Sequence, residues 1–304
     1  MPVKRKKLRK FIPIYIMLLP GFLYLLVNNY IPMFGIVIAF KQLNFAKGII
    51  KSDWVGFANF EYLFKTPEAF RITRNTLGYN AVFIVVNLVV AVAIAILLSE
   101  IRNKRCVKVY QTLILLPYLI SMVIVSYLAY AFLSGQTGFI NGLLGNLGLA
   151  PVSFYSEPQY WPFILVFVNC WKGAGYASII YLASIMGIDQ ELYEAAAIDG
   201  SSKWEEIKYI TLPLLKPTMI ILTLMSIGRI FYSDFGLFYQ LPMNSGALID
   251  ATNTIDTYVY RGLINMGDLS MSSAAGVYQS LIGFILVMLA NAITKKFSKE
   301  NALF

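Results

Sequence analysis

The residues whose types and spacing carry a recognisable chemistry lie between Asp189 and Pro217, in the run DQELYEAAAIDGSSKWEEIKYITLPLLKP. Across residues 189–208, six acids (Asp189, Glu191, Glu194, Asp199, Glu205, Glu206) face two bases, Lys203 and Lys208. Such a surface is repelled by anionic lipid headgroups and suits a basic or dipole-positive pocket on another protein. Catalytic chemistry is poorly supplied. The chain has no histidine, which excludes imidazole acid–base work and imidazole metal ligation. Cys106 and Cys170 lie in different segments without a CxxC spacing, so free thiols are expected. There is no GxxxxGK[ST] run and no Gly-Lys dipeptide, so the chain does not cradle nucleotide phosphates.

A second group of polar residues interrupts long apolar stretches. A charged side chain at the centre of a bilayer costs about 2.5–3.5 kcal/mol on insertion scales and should face a cavity or a partner. Asn169, Lys172 and Tyr176 share one helical face at i, i+3 and i+7, and either line a pathway or hydrogen-bond between helices. Arg229 and Asp234, five apart on a helix, would point about 140° away from each other. Phe231, Phe235 and Phe238 would form a stripe beside Tyr232 and Tyr239. Aromatic faces with polar tips suit sugars, although packing against lipid or a partner permease is the commoner role of any single ring. Asp250, Asp256, Tyr258 and Arg261 fall in an expected outer connection.

The elements that must position these residues follow from composition. Of 304 residues, 58% are hydrophobic and 13% charged, roughly half the charge of a soluble domain, about 25%. The mean hydropathy is +0.65. The expected class is an all-α integral membrane protein, not a soluble enzyme or a nucleic-acid binder. Six stretches reach the length of about 20 residues that spans a bilayer: approximately 11–40, 75–98, 110–133, 161–187, 217–241 and 276–293. The first carries Pro13, Pro20 and Pro32 and should be bent or broken. It lacks a small-residue cleavage site, so an uncleaved span is expected. The basic segment 1–10 holds Lys4, Arg5, Lys6, Lys7, Arg9 and Lys10. Alternate connections hold most of the Lys and Arg, which predicts both termini inside. In the connection 41–74, Phe57, Phe60, Leu63 and Phe64 recur at helical spacing and predict a short amphipathic surface helix. Asn75–Thr76 could cap the second span.

Within the acidic segment, Asp189 can cap a helix ending at Asp199, with Gly200 as left-handed terminator. Ser202 and Glu205 have the spacing of a capping box that opens a second helix. Pro213 should end that helix, and Pro217 suits the first turn of the fifth span. Ala195, Ala196 and Ala197 leave the first helix thin enough for close docking.

Glu194–Ala195–Ala196, Asp199–Gly200, Ile210, Leu212–Pro213 and Pro217 resemble the EAA loop of binding-protein-dependent ABC importer permeases. The segments YIPMFGIVIAF (30–40), WVGFANF (54–60) and TIDTYVYR (254–261) are similar to the LplB-like polysaccharide permeases of carbohydrate uptake family one. The resemblance implies a type I importer permease in a bacterial plasma membrane, paired with a second homologous permease and two ATPase subunits. It also implies an extracellular solute-binding protein that delivers an oligosaccharide. ATP and Mg would be bound by the ATPase partner, and this chain would hold no cofactor and be no enzyme.

On that resemblance, Glu194, Ala195, Ala196, Asp199, Gly200, Ile210, Leu212 and Pro213 form the coupling helix and its frame. The expected pathway residues are Asn169, Lys172, Tyr176, Arg229, Tyr232, Asp234 and Tyr239. Asp256, Tyr258 and Arg261 are expected to contact the binding protein. Two other readings remain: an ABC permease for another solute class, and an ion-driven secondary transporter, which would want an intramembrane carboxylate cluster. A membrane-embedded enzyme is a remote third, since no nucleophile–base pair stands out.

Overall fold

The computed structural model describes residues 3–297; the side chains of residues 3–10 and of Tyr62, Leu63, Met266, Ile293 and Phe297 are not described. The basic charges of segment 1–10, the Leu63 position of the amphipathic stripe and Lys299 therefore lie outside the described residues. The chain divides into two compact units, Met1–Thr66 with Val259–Val277, and Pro67–Tyr258 with Tyr278–Phe304.

In the first unit, helix α1 (Val3–Leu25) runs through Pro13 and Pro20. The winding departs from α only at a π-helical turn, Leu26–Tyr30, just ahead of Pro32. A wider turn accommodates a residue that brings no N–H to the ladder. A 3₁₀ segment, Phe34–Phe40, then leads to β1 (Lys41–Gln42). No side chain from Phe11 to Phe34 is buried within the chain, so this apolar surface faces lipid or another subunit.

Strand β1 pairs antiparallel with β2 (Asp53–Trp54), Lys41 opposite Trp54. The loop between them is closed from inside. Lys41 Nζ donates to the carbonyls of Ile49 (3.0 Å) and Ile50 (2.7 Å), and Ser52 Oγ accepts the Asn44 N–H at 2.9 Å. The expected surface helix is α2 (Ala58–Lys65). Asn59 anchors it by donating to the carbonyls of Ala39 and Lys41, both at 2.9 Å.

The second unit is built on α3 (Pro67–Ser99), α4 (Lys104–Leu119), α5 (Met122–Leu133), α6 (Phe139–Asn146) and α7 (Trp161–Met186). After these come α8 (Gln190–Ile198), α9 (Lys203–Glu206) and α10 (Leu212–Ile227). Helices α11 (Ile249–Thr252), α12 (Ile255–Met266) and α13 (Leu269–Phe297) complete the chain. Among the described residues, five helices are long and apolar enough to cross a membrane, or six if α4 and α5 form one broken span. Two cores hold the unit. Ala91, Val92, Ala95 and Leu98 of α3 pack on Tyr181, Leu182 and Ile185 of α7 and Leu215 of α10. Phe83, Val125, Trp161, Leu165, Phe238 and Leu241 form the other. In a bilayer such contacts stabilise by close packing more than by removal from water, which favours the small alanines at the α3–α7 seam.

Four local expectations are corrected. Helix α3 starts at Pro67, so Asn75 and Thr76 are buried inside it and do not cap it. They serve other elements instead. Asn75 Nδ2 donates to the carbonyls of Asp250 and Asn253, both at 3.0 Å, and Thr76 Oγ1 accepts the Ile255 N–H at 3.0 Å.

The third stretch is not one rod: α4 and α5 meet at 94°. Pro117 lies in the last turn of α4, and Ser121 caps α5.

Pro213 does not end the second helix of the acidic segment. A π-helical turn at Ile207–Thr211 widens the ladder ahead of it, and Pro213 falls in the first turn of α10, where an N–H is dispensable. Pro217 sits inside that same helix.

The fifth stretch is helical only to Ile227, and the chain unwinds before a short π-helical turn, Gly236–Gln240. Gly228, Ser233, Asp234 and Gly236 crowd this break with helix-terminating types. The angular argument for Arg229 and Asp234, and the helical stripe of Phe231, Phe235 and Phe238, do not apply there. Phe231 and Phe238 are both buried.

Candidate functional site: an acidic elbow and a polar cavity

The acidic segment forms a rigid helical elbow. Asp189 Oδ1 accepts the Glu191 N–H at 3.1 Å and starts α8. The helix ends in a Schellman arrangement: Gly200 N–H donates to Ala197 O at 3.1 Å and Ser201 N–H to Ala196 O at 3.0 Å. Gly200 has φ +79, a conformation that glycine adopts without Cβ strain. Ser202 and Glu205 then make the capping box, with Ser202 N–H donating to Glu205 Oε2 at 2.8 Å and Glu205 N–H to Ser202 Oγ at 3.4 Å.

The elbow is closed across its two arms where the Tyr193 hydroxyl meets Thr211 Oγ1 at 2.9 Å. Glu206 turns inward, buried, and pairs with Lys203 at 2.5 Å. Glu194, Ala195, Asp199, Gly200 and Pro213 are exposed, while Ala196, Ile210 and Leu212 are half-buried. Beside the acids stand Ile198, 86% exposed, and Trp204, 69% exposed. Both are large apolar side chains left in the open on an otherwise acidic elbow. Sequence reasoning centred on the charges passed over both residues, and over Tyr193; the apolar signal was present in I-D-G-S-S-K-W but has no periodicity to announce it.

The intramembrane polar residues separate into two groups. Asn169, Tyr176, Arg229, Tyr232 and Asp234 line one cavity of about 890 Å³, formed by α3, α7, α10 and the unwound segment after α10. Lys172 and Tyr239 are not in its wall. Lys172 reaches the end of α4, donating to the carbonyls of Pro117 (3.2 Å), Tyr118 (3.1 Å) and Ile120. It thus satisfies acceptors exposed at a broken helix terminus, where positive charge is favoured. Tyr239 stacks on Phe235 with ring centroids 4.8 Å apart.

Beside the cavity, Asn87 Nδ2 donates to Asn169 Oδ1 at 2.8 Å. Tyr176 stacks on Tyr118 at 4.8 Å, nearly parallel, and is half exposed. Asn80, unremarked in the sequence, donates to the carbonyls of Ile230 (2.8 Å) and Tyr232 (3.0 Å), holding the unwound segment against α3.

Asp256 is also in the cavity wall rather than in an outer loop. Its Oδ2 accepts from Ser233 N–H at 2.6 Å and Ser233 Oγ at 2.8 Å, and Gln279 Nε2 reaches both carboxylate oxygens at 3.1 Å. Tyr258 is buried, and Arg261 is half-buried on α12. Both cysteines are free. Among the described residues no three His, Cys, Asp or Glu side chains converge in a way that could hold a metal ion.

A family model described as "Binding-protein-dependent transport system inner membrane component" matches residues 88–299. The chain is 37% identical over 291 residues to Protein LplB of Bacillus subtilis (strain 168), covering 95% of this chain and 90% of that protein. It is 38% identical to the polygalacturonan/rhamnogalacturonan transport system permease protein YteP of the same organism, covering 95% of this chain and 89% of that protein. Among solved structures it is similar to a bacterial ABC transporter involved in the import of the acidic polysaccharide alginate. There the identity is 32% and the TM-score 0.88, over 96% of this chain and 98% of that one.

Proposed function

The chain belongs to the family of binding-protein-dependent transport system inner membrane components, and on that premise we propose that it moves oligosaccharides into the cytoplasm as the permease subunit of an ATP-driven importer. The family places it in a bacterial cell membrane as a multi-pass transporter component, not an enzyme. The observation that carries the saccharide reading is the near whole-length likeness to proteins named for polysaccharide transport. The cavity supports it, since stacked tyrosines beside amides and charged groups offer what sugars need: a face for C–H bonds and partners for hydroxyls.

In this reading α4 and α5 make one broken span, which gives six spans over residues 11–304 with both termini in the cytoplasm. The elbow at 189–217 then projects into the cytoplasm, where α8 seats in a cleft of a separate ATPase. A second homologous permease and two ATPase subunits complete the complex, and an extracellular binding protein delivers the sugar. ATP-driven closure of the ATPase pair moves the elbow and with it the membrane helices, switching the cavity from inward- to outward-facing. Glu194, Ala195, Ala196, Asp199 and Gly200 transmit that movement, and Ile210, Leu212 and Pro213 join the elbow to α10.

The test is uptake of labelled oligosaccharide into vesicles that contain the reconstituted complex, with ATP inside and loaded binding protein outside. Accumulation is expected with ATP and not without it. Uptake that persists without ATP and follows an ion gradient would replace this reading with the secondary transporter.

A further inference from the structure

The charges in the cavity are unequally satisfied. Asp256 is spent on its own wall, accepting from Ser233 twice and from Gln279. Asp234 Oδ1 accepts the Leu237 N–H at 3.0 Å, so its charge is partly met by the backbone of the turn that follows. Arg229 differs. Its side chain is exposed in the cavity, and among the described residues no hydrogen bond or ion pair engages its guanidinium. A guanidinium at membrane depth is stabilised by an anion, and its fork matches a carboxylate in bidentate fashion.

One further feature stands in the same cavity. The Tyr176 ring, backed by Tyr118, presents a flat apolar face. Cation and ring together suit a pyranose that carries a carboxyl group.

We propose that Arg229 is a specificity-determining residue that pairs with a carboxylate of a uronate-type oligosaccharide in this cavity, with Tyr176 stacking on the ring. This rests on the saccharide-importer reading above and narrows its substrate class to acidic oligosaccharides. Because no group among the described residues engages the cation and Asp256 is held by Ser233 and Gln279, a neutral oligosaccharide leaves the guanidinium unpaired, and an acidic one does not.

The experiment compares oligogalacturonate with its carboxyl-reduced, neutral counterpart. Each is measured for ATP-dependent uptake by the complete reconstituted complex and for direct binding to the detergent-solubilised complex without binding protein. Wild type is expected to prefer the acidic oligomer in both measurements. Arg229→Gln should cut the acidic-to-neutral ratio by about tenfold, the size of one charge-assisted hydrogen bond. Arg229→Lys, which keeps the charge without the fork, should retain part of the preference and shows that the site is intact. An unchanged ratio in Arg229→Gln, or a wild-type preference for the neutral oligomer, overturns the assignment while leaving saccharide import standing. If neither oligomer binds or enters with any variant, the saccharide reading falls and this assignment falls with it.

Discussion

Lys172 on α7 donates to the carbonyl oxygen of Tyr118 at 3.1 Å, across the point where α4 gives way to α5. With Pro117 and Ile120 on the same ammonium, the residue acts as an inserted cap for a helix broken at 94°. Replacing it with methionine keeps the stem and strands three acceptors. Hydrogen bonds to a charged group contribute about 1.5–3 kcal/mol, and losing a desolvated charge offsets part of that. Lys172→Met should therefore destabilise the purified complex by about 1–2 kcal/mol, read as a lower Tm in detergent, while Lys172→Arg should retain most of the stability.

Gly200 stands at φ +79 with nothing within 4 Å of where a Cβ would lie. The constraint is conformational and not steric crowding by neighbours. An L-residue pays about 1–2 kcal/mol there, and a β-branched one more. Gly200→Val should straighten the elbow and reduce uptake strongly with the complex still assembled, whereas Gly200→Asn should be tolerated, since Asn visits this region readily. Undiminished uptake by an assembled Gly200→Val complex would remove the elbow from the coupling path.

What the sequence disclosed and what it hid divide along contact range. Asp189, Gly200, Ser202 and Glu205 act on backbone groups within three residues, so their types and spacing were sufficient. Asn75, Thr76 and Asp256 act on partners 23 or more residues away, and nothing local reveals which carbonyl or N–H a buried amide or carboxylate will meet. The six apolar stretches were legible from hydropathy, but the broken geometry inside them was not. The unwinding after Ile227 had a signal in Gly228, Ser233, Asp234 and Gly236, outweighed by the surrounding apolar residues. The cavity residues were individually visible as polar intrusions. Their grouping, with Lys172 and Tyr239 left out, depended on that unwinding.

Gly173 and Gly175 look equivalent in sequence, yet their surroundings differ. A Cβ at Gly175 would lie 2.1 Å from the Ile114 carbonyl oxygen, whereas one at Gly173 would meet only Asn87 Oδ1 at 4.0 Å. Backbone cannot swing aside as a side chain can, so α4 would have to separate from α7. Overpacking of this kind costs about 1–3 kcal/mol. Gly175→Ala should lower the amount of folded chain in the membrane, measured by detergent-resistant, monodisperse protein, and Gly173→Ala should leave it within about 0.5 kcal/mol of wild type.

Ile198 and Trp204 supply the last prediction, because they are large apolar groups on an elbow otherwise rich in acids, and neither is needed to fold it. At 86% and 69% exposure their truncation removes little packing within this chain. Aromatic side chains at a protein interface are the usual hot spots, contributing about 2 kcal/mol or more when truncated, while the exposed acids chiefly steer the encounter and weaken with salt. Trp204→Ala and Ile198→Ala should therefore each reduce recovery of the ATPase subunit in a pull-down from detergent extract, with the Tm of the isolated permease unchanged. Adding salt should slow association more in wild type than in a Glu194→Gln, Asp199→Asn variant. If both alanine variants retain the ATPase at wild-type levels, Ile198 and Trp204 are not its docking surface.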